Sequence, residues 1–597
     1  MKLTAKFLSY EVAAAGLTLL AFFLRIITLE DRPLTIDEFG AVKVAAVDST
    51  LFIATNYHTT NHVLAQILAR WAGLIDYSLF FLRLPSLWAG VLSVPLLYRL
   101  GRSLLGPLEG TVAALLLALA PLHIGYSQEV RGYAALVLGT LFLFYCARHI
   151  LDDGRWRYWT GFSLAVVLTP YAHLFGVVPA GISGFLLSCH LWRGGRWRER
   201  ALRRKISASG LLIAVGGLIL FTPLAISILH VLRGGEWSGN IDPLLTESGF
   251  EQSALRDYGR LFLALTPGGD FRDISSLAFA GLALLGGIGL IRRRSAGALW
   301  LILWLLVPPL STALALEVFR GFYAYRRFFI FMTPAYFLIM AVAIVWLGDF
   351  GGRASARLRR VWIAGTVLVL LAFFGWGRWQ TFQDIVDNRW QETARYLAAT
   401  AAPEDRVICE AYGRWGQTRA AHRDECFREL VFRLEEAQLK QGLAARPAVN
   451  LEIDQFATLQ NIESHPQIAF GPGGVWLVLW HGDWPPPDLS APPSTPGAQA
   501  TRLGSNLLIE SRARPRLAEN TLASLEMLLA VENQPGDQFL YRLNLAQLHA
   551  ALGQLAAAQA ALDEAQRTAP EGMDAPGKIR QVEEALQRVA AERQALE

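Results

Sequence analysis

The stretch Tyr158–Trp192 decides the fold. It reads YWTGFSLAVVLTPYAHLFGVVPAGISGFLLSCHLW and contains no Asp, Glu, Lys or Arg. Since about 20 apolar residues cross a bilayer as helix, it is either one long helix or two short ones around Pro170 and Pro179. Both flanks are strongly basic, with Arg155 before the stretch and the Arg193–Lys205 run after it. Basic loops stay on the inner side of a membrane, so the pattern predicts a hairpin of two spans.

Other apolar stretches of similar length extend this pattern along the first two thirds of the chain. Together with the hairpin they predict eleven spans: 10–29, 80–98, 109–126, 132–149, 158–173, 174–192, 206–230, 275–291, 297–316, 328–348 and 361–376. The first is too long for a cleaved signal peptide and carries Arg25 late, so we expect it to be retained. Basic residues collect in alternate loops, which predicts a cytoplasmic N-terminus and an extracytoplasmic C-terminal part.

The composition agrees with a polytopic membrane protein that carries a soluble end. The apolar share is 53% and the charged share 18%, against about 45–50% and 25% in soluble domains. Residues 1–376 hold 34 Lys and Arg against 21 Asp and Glu (net +13), and residues 377–597 hold 21 against 29 (net −8), which sum to +5. The basic pI therefore gives no indication of nucleic-acid binding. A disordered, fibrous or disulfide-knot protein is excluded, as is a single soluble enzyme.

Polar residues gather at the predicted outer surface, where charges beside spans usually have a partner or a function. The first group is Asp37-Glu38, in the loop that follows the first span. The two acids could simply start a helix, with Thr35 as its cap and their charges favouring the helix dipole. They could equally supply a carboxylate for acid–base chemistry.

A second group lies in Pro121–Tyr133, the predicted turn between the third and fourth spans. Five hydrogen-bonding side chains in so short a turn are more than a connector needs: His123, Gln128, Glu129, Arg131 and Tyr133. A site for a polar ligand and a plain Glu129–Arg131 ion pair are both compatible with the pattern. The turn is therefore a candidate part of a site at the outer surface.

Two further groups complete the outer set. Tyr325, Arg326 and Arg327 precede the tenth span on the outer side, against the positive-inside bias. Arginine forks bind phosphate well, whether in a substrate or in a lipid headgroup. Asn61 and His62 lie in the first loop, where no third metal ligand has convincing spacing. A lipid-borne phosphate at the interface would suit these cations.

In this order the motifs resemble those of the GT-C membrane glycosyltransferases, in particular the bacterial RgtA/B/C/D-like branch, which is related to protein O-mannosyltransferases and aminoarabinose transferases. The resemblance covers roughly residues 8–410 and rests on the following pieces: Arg25, Asp37-Glu38, Asn61-His62-x-Leu64, Arg83-Leu-Pro-Ser-Leu-Trp-Ala-Gly90, Ser127-Gln-Glu-x-Arg-x-Tyr133, Arg327-Phe-Phe-Ile-Phe-Met-Thr-Pro334 and Trp390–Val407. It departs from the family where Val63 follows His62 in place of a proline.

The resemblance implies a GT-C fold and an inverting sugar transfer from a polyprenyl-phosphate donor to an acceptor hydroxyl. Asp37 would be the general base and Glu38 a supporting acid. Arg131, Arg326 and Arg327 would hold the donor phosphate. The remaining candidates for substrate contacts are Arg25, Asn61, His62, His123, Gln128, Glu129, Tyr133 and Tyr325. No metal or cofactor set is indicated, although some membrane glycosyltransferases use a divalent ion.

The C-terminal part predicts two smaller pieces after the membrane domain 1–376. Residues 377–512 predict a small α/β unit, with a helix at 389–400 and buried strands at 406–409 and 474–480. Cys409 and Cys426 could pair there, since they lie outside the spans. Residues 515–597 predict helices, of which 542–570 is similar to one tetratricopeptide repeat and could bind a protein partner. A hairpin that only packs on the α/β unit is the alternative.

Two other functions remain open at this stage. A transporter or flippase of lipid-linked sugars would place charges near the middle of the membrane. Here the charges gather at one face, which favours chemistry at the surface. An envelope scaffold acting through its tetratricopeptide-like end is the other alternative.

Overall fold

The structure is a computed structural model that divides into two compact units. The first consists of Met1–Glu30 and Gly40–Gln380, the second of Asp31–Phe39 and Thr381–Glu597. The residues described are 2–55, 62–232, 274–293, 297–318, 326–349, 355, 357–359, 361–370, 372, 389–411, 417–441, 448–450, 472–480, 498–503, 506–512, 517–531, 535–570 and 575–596. The candidate site residues Asn61 and Tyr325 lie outside them.

The first unit is helical. Its elements are α1 (Lys2–Ile26), α2 (Ile36–Val47, which begins in the second unit), α3 (Thr50–Thr55), α4 (Val63–Gly73), α5 (Leu79–Leu104), α6 (Pro107–Leu119), α7 (Pro121–Tyr126), α8 (Tyr133–Asp152), α9 (Trp156–Ala172), α10 (Val177–Arg193), α11 (Arg200–Leu232), α12 (Ile274–Arg292), α13 (Ala298–Val318) and α14 (Thr333–Asp349). Residues 361–370 are also helical.

Among the described residues, five helical segments are long and apolar enough to cross a membrane: Leu79–Leu104, Tyr133–Asp152, Leu174–Arg193, Arg200–Ile226 and Arg327–Asp349. Three shorter apolar helical segments are Pro107–Leu119, Phe279–Arg292 and Ala298–Thr312. The predicted hairpin is present as α9 and α10, which are joined through His173 and the short 3-10 turn Leu174–Gly176. The total of eleven spans stays a prediction.

Two sequence-based boundaries needed correction. The predicted span 109–126 is two helices, because Ala120 adopts an extended conformation (φ −60°, ψ 114°) between α6 and α7, and Pro121 starts the new helix. The sequence of Asn61–Leu79, which is apolar but interrupted by Gln66, Arg70 and Asp76, also predicts a helix at the membrane interface. The helix observed there is shorter and ends at Gly73, and Leu79 already begins α5. Its pattern is amphipathic, with Val63, Ile67 and Ala69 buried. Both corrections shift helix ends at the predicted outer face.

The core of the first unit is formed largely by α5, α6, α8 and α14. Most of α14 is buried from Thr333 to Val345, so this helix is surrounded by others. Glycines allow close approach at two crossings: Gly101 lies against Gly110, and Gly286 against the carbonyl of Ile339. Cys146 of α8 belongs to this apolar core.

The second unit contains a five-stranded sheet. Its strands are β1 (Arg406–Ala411), β2 (Ala448–Asn450), β3 (Val475–Trp480), β4 (Ala498–Leu503) and β5 (Asn506–Ser511), in the order β2-β1-β3-β5-β4. β1 pairs in parallel with β2 and β3, and β5 pairs antiparallel with β3 and β4. The two predicted strands, β1 and β3, are the central pair. Their buried parts, Val407–Cys409 of β1 and Val475–Val478 of β3, are apolar throughout, as expected of strands covered on both faces.

Helices cover both faces of this sheet. On one face lie α15 (Trp390–Thr400) and α16 (Gln417–Gln441), whose buried residues pack on Val407, Trp476 and Val478. Cys409 of β1 and Cys426 of α16 form a disulfide with their Cα atoms 5.8 Å apart. The pairing that the sequence left open is therefore present, and it joins the central strand to a covering helix.

Four helices follow the sheet: α17 (Leu517–Val531), α18 (Pro535–Ala551), α19 (Leu555–Arg567) and α20 (Ala575–Leu596). Leu517, Leu525 and Tyr541 share a core with Ile408 and Val475 of the sheet. A separate apolar cluster joins α18, α19 and α20. The predicted helices are thus present, α17 and α18 complete the core of the α/β unit, and the resemblance to a tetratricopeptide repeat stays a prediction.

Candidate functional site

In the first unit, a histidine joins the first loop to the predicted outer turn. His62 directly precedes α4, and its Nδ1 accepts a hydrogen bond of 2.6 Å from the backbone N–H of Gly132. An accepting Nδ1 places the proton of the neutral ring on Nε2. Gly132 must be glycine here, because a Cβ atom would lie 2.0 Å from the carbonyl oxygen of Ala172. Three segments distant in sequence therefore meet at this point.

Aromatic rings surround this contact. The ring of His62 lies 4.8 Å from those of Tyr133 and His173, both in edge-on geometry, and Tyr126 contacts Tyr133 at 4.5 Å. His173 in turn contacts Phe328, which directly follows Arg327. The site thus contains residues from the first loop, the outer turn, the hairpin break and the segment before α14.

Two of the predicted phosphate ligands act on the same histidine. Burial lowers the pKa of His62 well below its usual value, and the positive charges of Arg131 and Arg327 lower it further. The guanidinium of Arg131 also lies 5.8 Å from the ring of Tyr133. The structure therefore brings Arg131 and Arg327 into electrostatic range of one buried ring, although they are distant in sequence. For Arg326 only the backbone is described, as part of the 3-10 segment Arg326–Met332.

Arg25 has a different environment from the one that its candidate role predicts. It is fully buried, and its guanidinium donates to the carbonyl oxygens of Ala21, Leu117 and Ala118. The same guanidinium bonds the hydroxyl of Ser127 and the Nδ1 of His123. The carbonyls of Leu117 and Ala118 belong to the last turn of α6, where they have no partners inside the helix. We interpret Arg25 and His123 as residues that hold α1, α6 and α7 together.

The other residues of the outer turn are also buried. Gln128 donates through Nε2 to the carbonyl of Arg25 at 2.6 Å and to the hydroxyl of Thr28 at 2.8 Å. Glu129 is 4% exposed, and its carbonyl accepts from the N–H of Arg131. Gln128 therefore fixes the turn to α1, and the candidates of this turn that approach His62 are Arg131 and Tyr133.

The predicted catalytic acids belong to the second unit. Asp37 is half-buried and Glu38 is fully buried, both in the first turn of α2. The hydroxyl of Thr35 accepts from the N–H of Glu38 at 3.2 Å, so the predicted helix start is confirmed. A helix N-terminus favours the charged form of a carboxylate. Capping and a catalytic role are compatible, since the cap uses Thr35.

The segment that carries these acids is held by α16. The carboxylate of Glu429 accepts from the backbone N–H of Leu34, and Arg428 donates to the carbonyl of Leu34 at 3.1 Å. Arg433 lies between Glu429 and Glu436, at 3.4 and 3.5 Å, and all three side chains are at most 5% exposed. We call Arg428, Glu429, Arg433 and Glu436 the α16 clamp. It fixes the backbone three residues before Asp37.

Sequence reasoning missed several of these residues. His173 was predicted to end a span. A polar residue between two apolar stretches also indicates a break between two helices and a buried partner for its side chain. The α16 clamp lies nearly four hundred residues from the segment that it holds, and no local sequence pattern predicts a contact between them. In the described part of the chain no three His, Cys, Asp or Glu side chains are grouped as metal ligands.

A family model matches the part of the chain that contains His62 and the outer turn. Residues 59–226 match the model of the family described as dolichyl-phosphate-mannose-protein mannosyltransferase. This segment is similar to that family. It contains His62, Arg131, Tyr133 and His173, which the structure brings together. A search of curated proteins finds no significant match.

Several solved structures resemble the chain at low identity. ArnT from Cupriavidus metallidurans is 12% identical, with a TM-score of 0.48 over 85% of this chain and 98% of its own. The oligosaccharyltransferase AglB from Archaeoglobus fulgidus is 12% identical, with a TM-score of 0.41 over 79% of this chain and 69% of its own. The arabinosyltransferase EmbB from Mycobacterium smegmatis is 14% identical, with a TM-score of 0.33 over 71% and 41%. These likenesses are too distant to assign a substrate.

Proposed function

We propose that this glycosyltransferase moves a sugar from a polyprenyl-phosphate donor to an acceptor hydroxyl at the outer face of the cytoplasmic membrane, with inversion at the sugar carbon. The observation that carries the proposal is the match of residues 59–226 to a family whose description names a lipid-phosphate sugar donor. The acceptor is a glycan, lipid or protein.

The residues divide the chemistry between them. Asp37 takes the proton of the acceptor hydroxyl, and Glu38 supports it as a neighbouring acid. The hydroxyl oxygen then attacks the sugar carbon as the bond to the phosphate oxygen breaks, and the departing lipid phosphate keeps its electron pair. Arg131, Arg326 and Arg327 stabilise the negative charge of that phosphate. Because His62 is buried and neutral, it adds no positive charge beside these arginines.

The decisive experiment replaces the base. Asp37→Asn should lower transfer about 10²–10⁴-fold, the usual contribution of a general base, while donor binding is retained. Glycans and lipid-linked sugars are compared by mass spectrometry in cells that express either form. One glycan should disappear while its lipid-linked donor accumulates.

A matched control is available in the same loop. Asp48→Asn makes the same change eleven residues further along the chain, just after α2 ends at Val47. It should leave the glycan profile unchanged. If a stably expressed Asp37→Asn protein also leaves every glycan unchanged, Asp37 is not the base.

A transporter of lipid-linked sugars is the alternative, and an assay in vesicles distinguishes it from a transferase. A flippase moves the donor without breaking the bond between sugar and phosphate. In vesicles that contain the purified protein and a labelled donor on one side, a flippase would move the donor to the other side and yield no free lipid phosphate. Release of lipid phosphate in the presence of an acceptor supports the transferase.

A further inference from the structure

The disulfide of the second unit lies next to the residues that hold the segment with the predicted base. Cys409 belongs to the central strand β1, and Cys426 belongs to α16. Both cysteines are fully buried. Cys426 directly precedes Phe427, Arg428 and Glu429, of which the last two belong to the α16 clamp. The bond therefore attaches to the sheet the turn of α16 that contains these three residues.

This turn of α16 contacts the segment on both sides of Asp37. Before Asp37, the backbone of Leu34 is held through its N–H and its carbonyl by the two charged residues of the turn. After Asp37, the ring of Phe39 lies 6.4 Å from that of Phe427 in edge-on geometry. Asp37 is three residues beyond Leu34 and two residues before Phe39. Its backbone therefore lies between two contacts made by one helical turn.

α16 also packs on the sheet through apolar side chains. Leu430 and Leu434 belong to the same buried cluster as Val407 and Trp476. Such packing keeps a helix on a sheet but is non-directional, so it does not by itself fix the position of the helix along its axis. The disulfide adds a covalent link between α16 and β1. Without the bond we expect a folded unit in which this turn of α16 can shift against the sheet.

We propose that Cys409 and Cys426 are positioning residues for Asp37 and that sugar transfer requires their disulfide, an inference that rests on the proposed function. With the two sulfurs joined, α16 keeps its contacts with the segment, and the carboxylate stays aligned with the acceptor hydroxyl. A misplacement of about 1 Å can lower a rate about 10²-fold. The proposed phosphate ligands Arg131 and Arg327 belong to the first unit, so donor binding does not depend on the bond.

The bond forms by thiol–disulfide exchange with an oxidant that is itself a disulfide. One cysteine thiolate attacks the oxidant, and the second cysteine then displaces it. Two electrons and two protons pass to the oxidant, which leaves as two thiols. The sequence predicts that this unit is extracytoplasmic, where disulfides form and persist. Because both sulfurs are buried in the folded protein, the completed bond is shielded from reductants. It therefore activates the protein once and is not a reversible sensor.

The test compares one polypeptide with and without the bond. Cells express the natural protein in medium with or without dithiothreitol, which prevents the bond from forming, and labelling of thiols after denaturation counts the cysteines that are free. The lipid-linked sugar that accumulates in Asp37→Asn cells serves as the donor, and membranes from those cells supply the acceptor. Hydrogen exchange is followed over residues 31–39 and, as a control for folding, over β3.

The protein without the bond should transfer sugar about 10–10²-fold more slowly at saturating donor, with an unchanged KM for the donor. Exchange over residues 31–39 should be faster, while β3 stays protected. Glutathione disulfide should restore both the rate and the slow exchange. The double variant Cys409→Ser/Cys426→Ser should behave like the reduced protein and not respond to this oxidant. The matched control is Cys189→Ser, which removes a free thiol from α10 and should behave like the natural protein.

Unchanged exchange over residues 31–39 in a reduced protein with a protected β3 overturns the inference, as does an unchanged transfer rate. Loss of protection in β3 overturns it too, because the bond would then be needed for folding of the whole unit. Hydrogen exchange is measured without any transfer reaction. An active Asp37→Asn protein would therefore contradict the proposed base separately, without deciding whether the bond holds the segment.

Discussion

Gly132 is the position at which the backbone of the outer turn passes closest to its neighbours. A methyl group there would lie 2.0 Å from the Ala172 carbonyl and 2.9 Å from Nδ1 of His62. Gly132→Ala should therefore lower the free energy of unfolding by about 1–3 kcal/mol, as overpacking does. Thermal melting of the purified protein measures the change. Gly181→Ala, whose Cβ would meet nothing within 4 Å, should be neutral or slightly stabilising.

The titration of His62 gives a second prediction for a single residue. Because burial lowers its folded pKa well below the unfolded value of about 6.5, the unfolded chain takes up a proton first as the pH falls. Stability should therefore decrease below about pH 6.5, by up to about 1.4 kcal/mol per pH unit for this one group. Melting temperatures at pH 7.5 and 5.5 measure the slope.

The matching variant is His62→Gln, which cannot take up a proton but can still accept from the Gly132 N–H. It should be less stable than the natural protein at pH 7.5, yet show a smaller loss on acidification. An identical loss in both proteins would assign the acid sensitivity to other groups.

Among the secondary-structure elements, α16 has two tasks. It belongs to the folded α/β unit, and its clamp residues position the segment that carries the predicted base. Arg433→Met would leave Glu429 and Glu436 without this buried cation, at a cost of about 3–5 kcal/mol. The Leu34 backbone would lose its fixed position. We expect kcat to fall while the KM for the donor stays constant, because the phosphate ligands lie on other segments.

Hydrogen exchange over residues 31–39 tests this directly and should accelerate in Arg433→Met. The control is Arg395→Met on α15, an exposed arginine whose guanidinium donates to Gln391 one turn earlier on the same helix. Unaltered exchange in a folded Arg433→Met protein would contradict the positioning role of the clamp.

The helical end of the chain yields a prediction for the whole molecule. Because α17 and α18 share a core with β1 and β3, deleting 515–597 should expose one face of the sheet and abolish folding of the second unit. Deleting only 575–597 removes α20 and leaves that core intact. The shorter deletion should retain basal transfer, measured as release of lipid phosphate, whereas a scaffold that acts through α20 would lose its function.

Much of the fold could be predicted from the sequence because long apolar stretches and basic loops are local signals. The hairpin of α9 and α10 and the central strands β1 and β3 follow from such signals. The edge strand β2 has only three residues, and the break at Ala120 lies in continuous apolar sequence, so neither could be found in that way. The candidate site was predictable as a set of motifs, but the contact of His62 with Gly132 depends on long-range packing. The contacts of Arg25 could not be predicted for the same reason, because most of its partners lie about a hundred residues away in sequence.

The Leu34–Glu429 contact also imposes an order of events during synthesis. The two residues are 395 positions apart, so the ribosome adds nearly four hundred residues after Leu34 before its partner exists. At about 5–20 residues per second, this takes roughly 20–80 s. During that interval the membrane helices are already being inserted while the segment with Asp37 lacks its anchor. A nascent chain would therefore lack the anchor of its predicted base until Glu429 has been added, which would delay the proposed sugar transfer until that part of the chain has emerged.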